Sequence, residues 1–391
     1  MQSFYSRYTT GLVLILIVLI AAFFRFYDIT NTPPGLYPDE ATNGVNALEA
    51  LDAGEWKVFY PENNGREGLF INIQALSLKI FGDEPWALRI VSGIFGVLTV
   101  LGLFFLARLL WGNRLALLAS YLMAVGFWPV NFSRIGFRAV MLPFVLVWAF
   151  YFLWRGLLKK KPWLVFLAGL FYGVGFHTYI SWRLSPLLLA GLFIILLTQK
   201  TFTKQFLIKS AVVFLAGLII TASSLAWYYF NNQPDFMGRA AQVSIFNSGS
   251  PIKSLAASTL KTLGMFNIAG DFNWRHNLAG RPELFWPVGI GFLIGLILIF
   301  KNPKTNPHKL KAVSYSLFLW WLIMLLPGFL APEGAPHALR ALGALPAVFI
   351  LSALGLNFVY QKTQDYFNRA LLNPKYDRWF IQIRRIQKEL A

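Results

Sequence analysis

The sequence predicts an all-α polytopic membrane protein with about ten transmembrane helices, and three observations carry that reading. First, 57% of the 391 residues are hydrophobic and 13% are charged, with a mean hydropathy of +0.55; that is too few charges to coat a soluble globule of this size. Second, apolar runs close to the roughly 20 residues needed to cross a hydrocarbon core recur from end to end. Third, the loops between those runs alternate sharply in charge.

The ten runs lie near 8–27, 87–107, 115–132, 139–156, 163–180, 184–199, 210–230, 284–300, 312–331 and 341–360. The first is too long for the apolar stretch of a secretory signal, and no small-x-small site follows it, so it reads as a helix. The chain has no cysteine, which excludes disulfides and thiolate metal sites. The pairs Gly169/Gly173 and Gly291/Gly295 have the small-xxx-small spacing of helix-packing seams.

A formal charge of +18 invites a nucleic-acid reading. Threading the chain with its N-terminus in the cytoplasm answers it otherwise. The inner segments then hold 21 basic residues, among them Arg108, Arg114, Lys159, Lys160, Lys161 and seven after Gln361, against three acidic ones, Asp365, Asp377 and Glu389. All of the net charge falls on one side, so it reports orientation and contact with anionic lipid rather than nucleic acid. Residues 361–391 read as a basic amphipathic tail on the inner leaflet.

The same threading makes residues 28–86 a long outer loop that holds ten of the seventeen acids. Glu49, Asp52 and Glu55 fit solubility alone. Asp39 and Glu40 differ, because they follow the turn-forming "PPGLYP" and begin an Ala/Leu-rich helix ending at Gly54. Helix capping and chemistry are both open for Asp39 on that spacing.

A span, then "GLYPDEATNG", a helix, "GEWKVFYPENNGREGLF" and "FGDEPWALRIVSGIFG" resembles the lipid-carrier-dependent glycosyltransferases of the GT-C fold, the family 39 group of protein O-mannosyltransferase and aminoarabinose transferase type. "SRIGFRAVMLP", "GVGFHTYISWRLSPL", "MFNIAGDFNWRHNLAGRPEL" and "APHALRALGALPA" extend the similarity to about residue 360. It implies a GT-C catalytic domain over 1–360. It also implies inverting transfer of a sugar from a polyprenyl-phosphate carrier to a glycan, lipid or protein acceptor at the outer face of the cell membrane. The large soluble domain of the best-studied members does not follow the last span in this sequence, which leaves the acceptor open.

Such chemistry needs a carboxylate to take the acceptor proton and cationic groups for the departing phosphate. The resemblance implies Asp39 for the first, with Glu40 and Glu67 nearby on the same loop. For the second, Arg138, Arg183 and Arg340 come first, followed by Arg134, His177, Tyr179 and His337, all at the outer ends of spans where charge is costly. Each arginine could equally snorkel to the headgroups, and each histidine could be an ordinary interfacial one. In the outer loop 231–283, an expected lid or acceptor platform, "GDFNWRHN" offers Asp271, Trp274, Arg275, His276 and Asn277 to a sugar or acceptor, with Arg66 from the first loop. Trp274 also suits an interfacial anchor. Asp39 and Glu40 could hold Mg²⁺ or Mn²⁺ through oxygen, although the resemblance to the mannosyltransferases implies none. A transporter or flippase is the other class, but it places charge near the bilayer midplane, whereas these candidates cluster at one face.

Overall fold

The computed structural model describes residues 2–301 and 307–371, and the chain there is mostly helical with almost no strand. In order the helices are α1 (Gln2–Phe26), α2 (Pro38–Ala53), α3 (Gly68–Phe81), α4 (Pro85–Trp111), α5 (Asn113–Val125), α6 (Phe127–Arg134), α7 (Met141–Lys159), α8 (Pro162–Val174), α9 (Ser185–Thr198), α10 (Lys204–Asn231), α11 (Gln233–Gln242), α12 (Pro251–Gly264), α13 (Trp286–Leu298), α14 (Pro307–Leu330) and α15 (Leu345–Leu371). A two-residue antiparallel pair, β1 (Phe59–Tyr60) with β2 (Arg66–Glu67), lies between α2 and α3. Of the tail expected over 361–391, the first part continues α15 and the remainder lies outside the described residues.

The chain is a multi-pass membrane protein, and helix length and apolarity confirm eight at most of the ten expected spans. Among the described residues seven helical stretches are long and apolar enough to cross a membrane, and the pair α5–α6, bent by 54°, makes an eighth when taken as one span. The runs 163–180 and 284–300 supply helices of 13 residues each, which rise about 20 Å at 1.5 Å per residue against a core of about 30 Å. Their apolar residues continue into a 3-10 turn at Gly175–His177 and into the irregular segment before Trp286. Hydropathy counts those residues without seeing that the helix has ended.

The two short helices are held by close backbone approach. A Cβ on Gly169 of α8 would lie 2.0 Å from the Phe214 carbonyl of α10, and one on Gly295 of α13 would lie 2.0 Å from the Leu351 carbonyl of α15. Both expected glycine pairs are therefore packing seams. The bend between α5 and α6 leaves carbonyls that lipid cannot satisfy. Arg25 at the end of α1, fully buried, donates to the carbonyls of Ala124 at 3.1 Å and Met123 at 3.4 Å and to Ser133 Oγ at 3.2 Å.

The 27 residues of α4 separate its two ends by about 40 Å. At its C-terminal end basic groups gather on aromatic faces, with Arg114 4.1 Å from the Tyr360 ring and Lys301 5.8 Å from that of Phe358. At its N-terminal end the acidic loop folds down as a small domain of its own. Tyr60, Ile71, Ala75 and Leu78 bury against Ala87 and Leu88 of α4, and that end carries the site.

Candidate functional site

The local fold of residues 28–86 aims the two adjacent carboxylates in different directions. Pro38 opens α2, Gly54 ends it at φ +69°, and the helix follows the extended Tyr37. Asp39 and Glu40 then stand about 100° apart around the axis. Glu40, fully buried, turns inward and accepts from Arg89 Nε at 2.9 Å, the Gly136 amide at 2.8 Å and the Tyr37 amide at 3.0 Å. The capping carboxylate of α2 is therefore Glu40, and Asp39 is free of that duty. Asp39, 43% exposed, turns outward and accepts from Arg275 Nη1 at 2.7 Å and Asn63 Nδ2 at 3.0 Å.

Asp39 opens onto a cavity of about 400 Å³. Arg66, Arg138, Arg183, Arg239, Arg275 and Arg340 line it, as do Tyr179 and His337, while Ile180, Leu184, Ile245, Phe246, Leu330 and Leu339 form an apolar side. Segments more than 200 residues apart in sequence thus converge on one space. Asp39, Arg138, Arg183 and Arg340, the first candidates read from the sequence, all face it, and so do Arg66, Tyr179, Arg275 and His337.

Several of these arginines are held in place by other groups. Glu67, buried directly after the β1–β2 turn, accepts from Arg138 Nε at 2.9 Å and lies 3.9 Å from Arg183 Nη2. Its position depends on Gly68, where a Cβ would lie 2.0 Å from the Lys57 carbonyl; any larger residue would push the turn open. Arg183 also donates to Tyr229 Oη at 2.9 Å and to the Phe236 carbonyl, with the Phe236 ring 4.6 Å away. Arg340 donates to the carbonyls of Ala331 at 2.8 Å and Glu333 at 2.5 Å. Arg66 donates to Asn43 Oδ1 at 2.6 Å, to Asn46 Oδ1 and to the Glu62 carbonyl at 3.3 Å.

The remaining candidates are not part of the cavity lining. Arg134 clamps the chain after α1 by donating to the carbonyls of Tyr27 at 2.8 Å and Thr32 at 2.7 Å. His177 meets the Thr221 carbonyl at 2.8 Å, which fastens the α8 end to α10. Trp274 is exposed, with its ring 5.2 Å from that of Tyr37. Asn277 is buried and donates to the Arg281 carbonyl.

Asp271 and His276 are buried at the cavity edge, where Asp271 Oδ2 meets His276 Nδ1 at 2.8 Å and the Ala338 amide at 2.8 Å. Burial would raise the Asp271 pKa, but the bonds from His276 and Asn273 hold it below the ordinary carboxylate value. Beside it Glu283, which accepts from the Asp271 amide at 2.9 Å, is pushed up to about 8 by burial. Burial, with Arg340 and His276 adding to it, lowers the pKa of His337. Among groups of at least three possible ligands in the described residues, Asp271, His276 and His337 converge. Asp39 and Glu40 do not present a common face.

Two buried arginines that brace the fold around the site escaped the sequence reading. Arg89 and Arg25 sit singly in apolar runs, where each looks like a snorkelling end residue, and their partners lie 49 and about 100 residues away.

Residues 69–227 match the family model described as dolichyl-phosphate-mannose-protein mannosyltransferase. A putative mannosyltransferase, YkcB, of Bacillus subtilis is 28% identical over 222 residues, 55% of this chain and 30% of the relative. The undecaprenyl phosphate-α-4-amino-4-deoxy-L-arabinose arabinosyl transferase of Yersinia enterocolitica is 29% identical over 275 residues, 64% of this chain and 48% of the relative. Among solved structures, the oligosaccharyltransferase of Archaeoglobus fulgidus superposes with a TM-score of 0.61 at 16% identity, over 95% of this chain and 52% of that one. The fold is GT-C. ArnT of Cupriavidus metallidurans, solved bound to undecaprenyl phosphate, gives the same GT-C answer, with a TM-score of 0.59 at 13% identity over 89% of this chain and 60% of that one. The resemblance drawn from the sequence therefore holds, and this chain spans half or less of the length of these curated relatives.

Proposed function

We propose that this GT-C chain is an inverting glycosyltransferase that moves a sugar from a polyprenyl-phosphate carrier to an acceptor hydroxyl. The observation that carries the reading is the convergence of Asp39 with Arg138, Arg183 and Arg340 on one cavity. Six lining arginines against the one lining carboxylate make it a receptor for an anion. The apolar side formed by Ile180, Leu184, Phe246 and Leu330 offers the first isoprene units a path away from that charge.

In this reading Arg138, Arg183 and Arg340 neutralise the carrier phosphate as it leaves, and Tyr179, over which Arg138 stacks at 5.3 Å, stiffens that wall. Asp39 takes the acceptor proton on the opposite side of the anomeric carbon. Arg275 must then release it first, because an ion-paired carboxylate is a weak base. Glu67 is the brace that orients Arg138 and Arg183, and Glu40 is the anchor that fixes the start of α2. Asn43, Asn63 and Arg66 are the sugar-side contacts.

The basic helix ends support an orientation with both termini in the cytoplasm and the cavity at the outer face of the cell membrane. Enzymes named as transferases among the relatives support the same class. A transporter is less well supported, since the buried charges Arg25 and Arg89 are hydrogen-bonded within the protein rather than open to a path.

Asp39→Asn tests the reading. It keeps the shape of the side chain and removes the proton acceptor, so transfer from a polyprenyl-phosphate sugar should fall by about 10² to 10⁴ while donor binding persists. Asp52→Asn on the same loop is the control and should change little. Near-normal transfer by the Asp39→Asn protein would move the base elsewhere.

A further inference from the structure

We propose that Asp271, His276 and His337 bind one divalent transition-metal cation, with zinc the best fit, at the edge of the cavity. One possible ligand atom from each residue lies within 4.8 Å of the other two. Asp271 Oδ2 is the common neighbour, 2.8 Å from His276 Nδ1 and 3.9 Å from His337 Nδ1. Zinc bonds of about 2.0–2.2 Å at tetrahedral angles set neighbouring ligand atoms roughly 3.4 Å apart, a spacing those two distances bracket. The two imidazoles offer ligand atoms within 4.8 Å of each other, so closing the site requires the rings to turn toward each other.

Two imidazoles and one carboxylate are the donor set that suits zinc with a fourth position left open. The open position faces the cavity, because His337 lines it while Asp271 and His276 lie behind. A ring nitrogen here also lacks the partner that burial demands. His337 Nδ1, the ring nitrogen that faces Asp271, is buried with no hydrogen-bond partner, and a buried polar atom ordinarily has one. A cation would take the His337 lone pair directly.

The surroundings are those of a braced ligand set. Asp271 Oδ1 accepts from the Asn273 amide at 2.8 Å, and the Asp271 amide donates to Glu283 Oε1 at 2.9 Å. Asn131 of α6 donates to the carbonyls of Arg275 and His276 at 3.1 and 2.9 Å, which fixes the backbone carrying the first histidine. The two nearest guanidinium groups are already engaged, Arg275 by Asp39 and Arg340 by the carbonyls of Ala331 and Glu333. A bound cation would tie the segment after α12 to the segment after α14, two parts of the cavity rim.

The site is read by metal content and so does not stand or fall with the transferase reading. Full-length protein in detergent, stripped with a chelator and re-equilibrated with Zn²⁺, should retain one ion per chain. Co²⁺ in its place should give the intense visible absorption of a low-coordinate histidine site. His276→Gln and His337→Gln should each weaken binding at least tenfold, and Asp39→Asn should leave it unchanged. Because His276 is buried and its substitution can unfold the chain, His337→Gln at the cavity wall is the deciding variant, with elution as a single folded species as its control. Absence of stoichiometric Zn²⁺ in the unaltered protein, or retention by folded His337→Gln, overturns the proposal. So does loss of the ion in Asp39→Asn, which would relocate it to the acidic pair.

Discussion

The two loops that meet over the cavity are built on opposite principles. The first, residues 28–86, has its own apolar core against α4 and a fully buried ion pair, Glu40 with Arg89. The second, residues 232–285, leaves α11 with no buried residue and α12 with two, Ser258 and Thr262, while Phe246, Ile252 and Leu260 are 80%, 85% and 71% exposed. Before Met265 its inward contacts are scattered, at Ile245, Ser258 and Thr262, and they become denser between Met265 and Leu284, where Met265, Phe266, Asp271, His276, Asn277, Glu283 and Leu284 are buried. One wall is set by folding, and the other rests on the bundle by a few contacts. The difference suits a site that must hold a base still yet admit a lipid-borne donor, since elements that move come from the weakly packed part of a structure.

The largest effect that could break this comparison is at Arg89. Its guanidinium joins Glu40 to the carbonyls of Pro33 (2.6 Å) and Gly35, so one side chain fixes both the start of α2 and the turn before it. Removing one partner of a buried pair leaves an uncompensated charge, at a cost of about 3–5 kcal/mol. Arg89→Ala should therefore lower thermal stability by that order, and Arg89→Ala with Glu40→Gln should recover part of the loss. A single substitution as mild as one at the surface would show the first wall to be no firmer than the second.

Phosphate recognition comes next. Arg138→Ala should weaken donor binding together with turnover, because a phosphate is present in both ground and transition states. Glu67→Gln keeps a hydrogen bond to Arg138 but removes the charge shared with Arg183, so it should reduce turnover less than Glu67→Ala. Titration of a polyprenyl phosphate, followed by steady-state transfer, separates the two. Equal losses from Glu67→Gln and Glu67→Ala would show that charge rather than orientation is what Glu67 supplies.

Hydrogen exchange sharpens the contrast without any substitution. Amides of α2 and α3 should be protected well beyond those of α11 and α12, and added polyprenyl phosphate should slow exchange at 239–246, which line the cavity, more than at 38–53. Equal protection of the two loops in the absence of lipid would remove the asymmetry.

How much of this was legible in the sequence follows from the same physics. The spans were visible because a bilayer imposes length and apolarity on a continuous run. Two of the ten runs, 163–180 and 284–300, supply helices of 13 residues, because apolarity does not report where a helix begins or stops, as at Val174 and Phe285. Arg138, Arg183 and Arg340 could be singled out because charge at a span end is costly and needs a reason. The roles of Glu40 and Asp39 could not be separated, since neighbours on a helix differ by 100° and only the fold decides which direction is inward. Arg25 and Arg89 were passed over because their partners are carbonyls and a carboxylate far away in the chain.

The smallest effect expected is at the contact where the two walls touch. Arg275 meets Asp39 at 2.7 Å, but the two side chains remain 22% and 43% exposed. A pair as open as this is worth about 0–1 kcal/mol after solvent screening, far less than the enclosed pair of Arg89 with Glu40. Arg275 also stacks 5.0 Å from the Phe137 ring, and a glutamine would keep part of that packing. Arg275→Gln should therefore barely change the melting temperature, while exchange at 266–285 should quicken because a tie to the firm wall is gone. Salt should reproduce the change in the unaltered protein, since it screens an exposed pair and leaves a buried one intact. If Arg275→Gln destabilised the chain as strongly as Arg89→Ala, the second loop would be part of the folded core, and the separation of a fixed wall from a movable one would fail.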